Sequence, residues 1–574
     1  MPDRAGKSGP ASIIHKKDSN MNKYIRLSFF SLGLAAMTLS FTACESNIDI
    51  EPVGVVSADG YFQSAEDYEK ALNGVYSLLN YNNNDLWLDG VTDNGLVTHS
   101  WNRGYDLGRG IGNASSSFPE TKWTSDYTSI QRANNIIANI DTYAWPGGEN
   151  NATRLKVLGE AKTLRDYFYL ELVSMFGHII FYTQNPTTVE EARQMTQVEP
   201  KTVYDFILKD LEEAIAGLPD KAENSSKIAK PAARLLRARA AAYAAGYLND
   251  ASYWQITLSE TAELLKDAPK LADFGSLFKS GGENLDEVIL ARTYSLDAQN
   301  YWGDWYNNSI GGYCVTTPVR QLADAYEYVG QEVPNRPYLH KDPRFYETIY
   351  APGMELRGKY YNTIPGNIVY RDGKAYFDPN RDYGDLQDKE VSVGDVRGED
   401  GGGEWNKTPT GFTWKKYFQE DETWSTWNSF IIFRYAEAYL LRAEALATVG
   451  GHDAEAKALV KVVRDRAGNT NDIDEMIAKK YGSLLNLIRN ERRVEFADEG
   501  LRFYDLRRWH ILVDQMNKPL EGIAYRDFSS GTPVNKVLIP GTRVTFTDKD
   551  FYWPIPQAEM DLSKGNLKQN DGWK

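Results

Sequence analysis

The sequence is poor in the residues that most often hold metals or form disulfides. Its 574 residues include only two cysteines and six histidines. Cys44 and Cys314 lie too far apart along the chain for a metal-binding or redox pair, and two cysteines do not make a disulfide framework. No two histidines stand on neighbouring turns of one helix, which excludes a local helical zinc motif. We therefore expect neither a metal ion nor a cofactor.

Positive charge is also scarce. The net charge is −15, and no run of lysine and arginine is longer than a pair. The chain thus lacks the basic surface that nucleic acids require. Neutral or cationic ligands fit this balance better, and the acidity disfavours sulfated or uronic polymers. A local patch of charge can still override the net charge.

Long apolar runs are absent beyond the N-terminus. From Met21, the segment MNKYIRLSFFSLGLAAMTLSFTAC has a positive start, an apolar stretch, and small residues directly before Cys44. This pattern is typical of a bacterial lipoprotein signal. The apolar stretch is shorter than the roughly 20 residues that span a bilayer. We predict a leader and signal peptide at 1–43, lipidation of Cys44 and a lipidated tether at 44–60, with translation starting at Met1 or Met21.

Helical periodicity begins near residue 61. The segment FQSAEDYEKALNGVYSLLN, residues 62–80, places apolar side chains three or four residues apart behind Ser64, a residue type that caps helix N-termini. The first half of the chain is therefore predicted to be mostly α-helical. The same period occurs in 126–143, 153–177, 201–218 and 229–266.

A short motif recurs in three of the predicted helices. ARLLRARA at 233–240 returns as AYLLRAEA at 438–445, and AKTLRDYF at 161–168 is a looser copy. The alanines allow close approach of neighbouring helices, and the shared arginine can pair with a carboxylate on the next helix. Stacked helix pairs of the tetratricopeptide type are the predicted scaffold. The glycines expected to end these helices are Gly177, Gly246 and Gly450.

The composition changes between residues 281 and 428, where glycine, asparagine, aspartate, proline and aromatic residues predominate. Short strand-like pieces such as EVILARTY interrupt this region. A long loop-rich insertion in a helical scaffold is usually functional. The predicted fold is mainly α, with a tetratricopeptide-like helical-repeat scaffold and a large loop-rich ligand-binding insertion. Its regions are the helical 61–280, the loop-rich 281–428 and the helical 429–574.

Motifs for catalysis or ion binding are weak. GMELRGKY at 353–360 has the spacing of a phosphate-binding loop, but Tyr360 replaces the serine or threonine that would hold magnesium. DPNRDYGDLQDKE at 378–390 resembles a calcium loop with one extra residue before Gly384, so a surface turn is the better interpretation. No Gly-x-Ser-x-Gly motif occurs. Spacing alone leaves open the two carboxylates of a glycoside hydrolase.

Two glycine-rich segments carry aromatic side chains outside any helical period. They are DLWLDGVTDNGLVTHSWNRGYD at 85–106 and NYWGDWYNNSIGGYC at 300–314. Ring faces of tryptophan and tyrosine suit the axial C–H groups of sugars, while nearby amides and carboxylates bind hydroxyl groups. Some of these rings are expected only to fasten loops to the scaffold. The predicted ligand-binding residues are Trp87, Trp101, Asn102, Tyr105, Trp302, Asp304, Trp305 and Tyr306, and no catalytic residue is predicted.

Nine blocks of the sequence, in order, resemble those of a known family. They include RANNIIANI, EPKTVYDFILKDLEEAIAGLP, FIIFRYAEAYLLRAEAL and IRNERRVEFADEGLRFYDLRRW, and together they cover nearly the whole chain after the signal. The chain resembles the SusD/RagB family of nutrient-binding lipoproteins of Bacteroidetes. The resemblance implies a lipid-anchored protein of the outer membrane that faces the cell exterior.

The same resemblance implies a partner and a ligand. The scaffold would dock on a SusC-like TonB-dependent transporter, close over it as a lid and deliver oligo- or polysaccharide for import. It implies binding and not catalysis. The alternatives are peptides or another nutrient on the same scaffold, or a glycoside hydrolase. The family's sugar contacts lie in variable loops, so the aromatic segments remain the site prediction.

The most highly charged segment is ERRVEFADEGLRFYDLRRWH, residues 491–510, with five arginines, five carboxylates and one histidine. It could serve acid–base catalysis or hold helices together. The resemblance identifies it as a structural signature of the family, and pairs such as Arg502 with Asp505 also stabilise a single helix. We expect an arginine–carboxylate lattice between helices, formed by Glu491, Arg492, Arg493, Glu495, Glu499, Arg502, Asp505, Arg507 and Arg508.

Overall fold

The computed structural model describes residues 58–573 with several gaps. Cys44 and the predicted signal and tether up to residue 57 lie outside the described residues. The last residues of the predicted tether begin a short helix, Ala58–Tyr61. The gaps are 81–83, 296, 301, 307–311, 334–335, 365, 382–383, 392–407, 420–426, 527–532 and 538–544.

The periodic segments of the first half fold as helices. The hydroxyl of Ser64 accepts a hydrogen bond from the backbone N–H of Asp67 at 3.4 Å and caps one of them. The predicted helical stretch 229–266 is divided in two, because Asn249 adopts a left-handed φ of 52°. The helices up to residue 277 are α1 (Ala58–Tyr61), α2 (Ala65–Tyr76), α3 (Asn84–Asp89), α4 (Ser117–Ala138), α5 (Ala152–Phe176), α6 (Val189–Gln194), α7 (Pro200–Gly217), α8 (Lys230–Tyr247), α9 (Trp254–Leu265) and α10 (Phe274–Leu277).

Helix returns in the last third of the chain, as predicted, and two short helices lie within the loop-rich region. A π-helical segment, Ile477–Tyr481, interrupts the C-terminal set. These helices are α11 (Arg320–Ala325), α12 (Pro343–Thr348), α13 (Tyr435–Val449), α14 (Asp453–Ala467), α15 (Ile473–Met476), α16 (Leu484–Glu495), α17 (Arg502–Arg508), α18 (Leu512–Met516) and α19 (Gln557–Leu562).

The long helices stack in sequence order, so that α4, α5, α7, α8, α9, α13 and α14 each contact the next. This mainly helical array of tetratricopeptide type confirms the predicted fold class. The repeated arginines behave as expected: Arg165 reaches Asp210 at 2.6 Å, Arg237 reaches Glu212 at 2.7 Å, and Arg442 reaches Glu455 at 2.7 Å. Each bond joins helices that are neighbours in the array.

One of the three predicted helix-ending glycines has a different role. Gly177 and Gly450 follow α5 and α13 with φ of 70° and 85°. Gly246 instead lies inside α8, which continues to Tyr247. A Cβ at Gly246 would clash with the backbone carbonyl of Arg508. Glycine is therefore required there for the close approach of α17, and the prediction that Gly246 ends the helix was wrong.

Short strands run through the loop-rich region and fasten it to the scaffold. The piece EVILARTY forms β4, which pairs antiparallel with β13 directly before α13. A five-stranded sheet has the order β7-β8-β11-β10-β9. The strands are β1 (Gly95–Val97), β2 (Ile179–Ile180), β3 (Gln197–Val198), β4 (Val288–Arg292), β5 (Thr316–Pro318), β6 (Ile349–Tyr350), β7 (Glu355–Leu356), β8 (Lys359–Tyr360), β9 (Ile368–Arg371), β10 (Lys374–Phe377), β11 (Glu390–Val391), β12 (Thr413–Trp414), β13 (Phe430–Arg434), β14 (Glu521–Arg526) and β15 (Pro533–Val537).

The calcium-like segment 378–390 forms a surface turn in its described part. The carboxylate of Asp378 accepts the backbone N–H of Asn380 at 2.9 Å. Asp385 pairs with Arg336 at 2.7 Å. The described ranges contain no group of three histidine, cysteine, aspartate or glutamate side chains placed to hold a metal ion. Within the same ranges, no helix has the length and apolar character needed to cross a membrane.

The charged segment 491–510 forms a buried ionic lattice between elements. Arg434, at the end of β13, contacts Glu495 at 2.5 Å and Glu499 at 2.7 Å. Arg344 of α12 contacts Glu495 at 2.8 Å and Glu491 at 2.7 Å. All five side chains are buried. The lattice joins β13 and α12 to α16, which confirms the structural role predicted for this segment.

The second half of the segment extends the lattice to α13. Arg508 donates two hydrogen bonds to Glu444, at 2.8 and 2.7 Å, and one to Asp505 at 2.8 Å. Asp505 also accepts from Arg492 at 3.3 Å. These contacts tie α17 and α16 to the helical array.

Two members of the segment depart from the expected pairing. The guanidinium of Arg502 binds Asp93 at 2.8 Å, not its helix neighbour Asp505. Arg507 donates to the backbone carbonyl of Phe551 at 2.8 Å and has no carboxylate partner among the described residues. Burial lowers the pKa of Arg507 to about 10. Tertiary partners therefore replace the pair expected within the helix.

We expect Glu495→Gln to lower the free energy of unfolding by about 3–5 kcal/mol, because buried arginines would lose a charged partner. Burial alone raises the pKa of Glu495, but Arg466, Arg434 and Arg344 together hold it well below its usual range. The carboxylate therefore contributes stability at neutral pH, and this contribution is lost progressively as the pH falls below about 4. Urea denaturation at pH 7 and at acidic pH measures both effects.

The matched control is Lys461→Met, which removes an exposed ion pair with Asp465. It should change the free energy of unfolding by less than about 1 kcal/mol. A Glu495→Gln protein as stable as the wild type at pH 7 would contradict a lattice that holds the fold.

Candidate functional site

The two aromatic segments predicted from the sequence meet in space. Strand β1 pairs antiparallel with β5, with Gly95 opposite Pro318 and Val97 opposite Thr316. The backbone N–H of Thr98 extends the pairing by donating to the carbonyl of Val315 at 3.0 Å. Segments that are about 200 residues apart in sequence therefore form one surface.

The side of this surface that faces the protein interior consists of buried rings. Trp87 of α3 meets Trp305 edge-on, with ring centroids 5.2 Å apart. Tyr306 meets Phe418 in the same way at 5.0 Å. Trp87, Trp305 and Tyr306 all belong to the main hydrophobic core. As ligand contacts these three remain a prediction, and their observed position is that of a support between the loops and the scaffold.

The side that faces solvent is formed by three residues, His99, Trp101 and Tyr313. These three residues are called the aromatic ledge. Trp101 is 63% exposed as a residue, and one face of its ring lies parallel to the imidazole of His99, with centroids 4.7 Å apart and an angle of 2° between the planes. Nε2 of His99 lies 3.4 Å from the carbonyl oxygen of Tyr313, a residue that is itself 40% exposed. Burial lowers the pKa of His99, which favours its neutral form. The ledge thus presents flat, uncharged ring surface.

Polar groups lie on both segments around the ledge. The amide Nδ2 of Asn102 is buried without an acceptor among the described residues. The ring of Tyr105 is covered by the guanidinium of Arg109, 3.5 Å from its centroid. Asp304 is half-buried, and burial raises the pKa of its carboxyl. The side chain of Trp302 lies outside the described part of the chain.

The ionic lattice holds the loop that carries the ledge. Arg502 donates two hydrogen bonds to the carboxylate of Asp93, at 2.8 and 2.9 Å. Arg493 donates to the side-chain oxygen of Asn94 at 2.8 Å. The backbone N–H of Gly500 donates to Asp89 at 3.0 Å. These bonds fix the chain between α3 and β1, directly before the residues of the ledge.

Sequence reasoning identified Trp101 but not the other two members of the ledge as site residues. His99 stands two residues before Trp101 in a turn after β1, closed by the backbone N–H of Asn102, which donates to the carbonyl of His99 at 3.0 Å. Tyr313 lies in the second aromatic segment, but only the pairing of β1 with β5 brings it to His99. Neither the turn that stacks His99 on Trp101 nor the strand pairing is given by a short-range pattern in the sequence.

The fold and this surface define a helical-repeat protein with a loop-borne candidate binding site. The chain belongs to the SusD/RagB family. The SusD family description matches residues 286–573, and a second description, starch-binding associating with outer membrane, matches residues 55–245.

Curated relatives are similar to this chain over most of their length. SusD-like protein P25 of Formosa agariphila is 24% identical over 566 residues, which are 94% of this chain and 98% of that protein. A SusD-like protein of Bacteroides ovatus is 23% identical over 509 residues, 84% of this chain and 83% of that protein.

Solved structures share the fold. A SusD-like protein from Bacteroides fragilis aligns with a TM-score of 0.68 and 24% identity, covering 90% of this chain and 99% of that one. Surface glycan-binding protein A from Bacteroides thetaiotaomicron, in complex with laminarihexaose, aligns with a TM-score of 0.61 and 20% identity, covering 88% and 99%.

The contrast between buried and exposed rings predicts different effects on stability. Trp305→Ala should lower the free energy of unfolding by about 3–5 kcal/mol, because it removes a core ring and leaves a cavity. Trp101→Ala should change it by no more than about 0.5 kcal/mol, because its ring is largely in solvent. Denaturant unfolding of both variants measures this. Equal losses of stability would show that Trp101 is also a packing residue.

Proposed function

We propose that this chain captures oligo- or polysaccharides on the aromatic ledge. The observation that carries the proposal is the ring of Trp101, largely exposed and held parallel to His99 on a rigid support. A flat ring in this position can contact the C–H face of a pyranose, while neighbouring amide and carboxyl groups bind its hydroxyls. Trp87, Trp305 and Tyr306 would act beneath the ledge by fixing its position.

The expected affinity is modest. Ring contacts contribute roughly 0.5–1.5 kcal/mol each beyond area burial, so two exposed rings supply about one to three. Such a site releases its ligand readily, which suits a protein that hands its ligand to another. The laminarihexaose complex of the similar glycan-binding protein and the starch-binding description of the N-terminal match support a saccharide ligand.

Membership of the family supports a further proposal, that the captured ligand is delivered to a transporter. We propose that lipid attached to Cys44 anchors the chain in the outer membrane, facing the exterior, and that a SusC-like TonB-dependent transporter receives the saccharide. The outer-membrane association in the matched description supports this location. Anchoring beside a transporter raises the local concentration of captured ligand, which allows weak sites to be effective.

Binding without cleavage is favoured by where three carboxyl groups with pKa values raised to about 6 or 7 lie. Burial raises the pKa of Asp85 to about 7, of Asp126 to about 7 and of Asp89 to about 6. These values would suit a general acid, but all three side chains are buried in the scaffold. They are therefore poorly placed to act on a polymer.

Affinity electrophoresis and calorimetry of residues 45–574 against a panel of polysaccharides test the binding role. Trp101→Ala should weaken binding of the recognised polymer more than tenfold. Tyr370→Ala is the matched control, because Tyr370 is equally exposed, at 64%, but lies on β9. Product analysis of the same mixtures should show no shortened chains. Unchanged affinity of Trp101→Ala would refute the ledge as the site.

Lipid anchoring is tested separately through Cys44. The wild-type chain, expressed in a bacterium that processes lipoproteins, should incorporate labelled palmitate and sediment with membranes. Cys44→Ala should remain unlabelled and be recovered in the soluble fraction, because the thiol that accepts the lipid is missing. Labelled Cys44→Ala protein would show that the lipid is attached elsewhere.

A further inference from the structure

A second candidate site lies apart from the aromatic ledge. A cavity of about 490 Å³ opens beside α11 and the π-helical segment, and its lining includes Arg320, Lys341 and Lys480. Its volume is in the range of sites for small molecules. No member of the ledge lines it. Any ligand of this cavity is therefore bound by side chains other than those of the ledge.

Lys341 is the unusual residue of this cavity. Its side chain is buried, with 4% of the residue exposed, yet among the described residues its ammonium makes no ion pair with a carboxylate within 4.0 Å. Nζ donates to the backbone carbonyl of Tyr326 at 3.1 Å and lies 4.0 Å from the ring centre of Tyr328. Burial lowers the pKa of Lys341 to about 8. A buried ammonium in this state favours an added negative charge.

Lys480 brings a second ammonium group to the same lining. Nζ of Lys480 donates to the backbone carbonyl of Asp324 at 3.4 Å and, within the described ranges, has no carboxylate partner. An ammonium has three donors, and each of these two lysines uses one on a backbone carbonyl. Several donors in the cavity thus remain for a ligand.

The carboxylates that line the cavity do not cancel these charges. Asp324 already pairs with Arg320 at 3.0 Å. Glu327 pairs with Arg464 and accepts the hydroxyl of Tyr481 at 2.7 Å. Glu332 is exposed at the surface. Within the described residues, Lys341 therefore keeps a buried charge without a carboxylate partner in the lining, and Lys480 adds an exposed ammonium, although the whole chain is acidic.

We propose that this cavity binds an oxyanion, the carboxylate or sulfate ester of an acidic saccharide, between Lys341 and Lys480. The inference rests on the proposed function in one respect only, that the oxyanion is carried by a saccharide. The chain would then recognise its ligand at two sites, by ring stacking on the ledge and by charge in the cavity. Acidic glycans would be preferred over neutral ones of the same backbone.

Calorimetric titration of the full chain with glucuronate and with inorganic sulfate tests the site, at constant ionic strength set by chloride. Glucose is the neutral control. Lys341→Met should weaken anion binding at least tenfold, whereas Lys209→Met, at an exposed position of α7, should leave it unchanged. Binding of glucuronate alone would assign the site to carboxylates. Binding of both anions would assign the site to oxyanions in general.

Stability distinguishes a binding role from a structural one. Lys341→Met removes a buried charge that lacks a counter-ion, so the melting temperature should stay equal or rise. If that variant fails to fold, Lys480→Met replaces it as the test of the site. We expect the same loss of anion binding from Lys480→Met. The proposal is overturned if the wild type binds neither anion, or if both variants bind them as the wild type does.

The proposal for the ledge and the proposal for the cavity can be refuted independently of each other. Trp101→Ala should lose binding of neutral glycan and keep that of the free anion. Lys341→Met should show the opposite pattern. Loss of neutral glycan binding in both variants would mean that the cavity only supports the ledge, and this result would also overturn the inference.

Discussion

The bidentate pair between Arg502 and Asp93 connects the buried ionic lattice to the surface that can meet a ligand. Burying many charges is unfavourable unless each guanidinium finds its carboxylates with good geometry. That requirement leaves few acceptable arrangements of α16, α17 and β13. The loop between α3 and β1 is held by the same constraint. The charged segment 491–510 therefore has a structural role, and it holds the chain that leads into the aromatic ledge.

A fixed support matters because the contacts that the ledge can make are individually weak. Holding the rings in place before the ligand arrives reduces the ordering cost of binding. The pairing of β1 with β5 joins two loops, and Trp87 and Trp305 fill the space beneath them. The repeated interhelical arginines involve no residue of the ledge, so the helical array can keep its scaffold while the loops change.

Much of this fold follows from periodicity and charge in the sequence. The helical spacing behind Ser64 and the recurring arginines of α5, α8 and α13 predict local features that depend on few other residues. The partner of Arg502 could not be predicted, because the rule for pairs on one helix ignores Asp93, which is some 400 residues away. Likewise, a loop tryptophan can be buried or exposed. Trp305 is buried and Trp101 is exposed because of a strand pairing that no short-range pattern reveals.

The exposed ring of Trp101, on its lattice-held loop, is the surface proposed to meet the saccharide. The most direct measurement is a crystal structure of residues 45–574 with a bound oligosaccharide of the recognised polymer. We expect a sugar ring lying flat against Trp101, with Trp87 and Trp305 unmoved. A saccharide bound elsewhere, with no contact to Trp101 or Tyr313, would contradict this expectation.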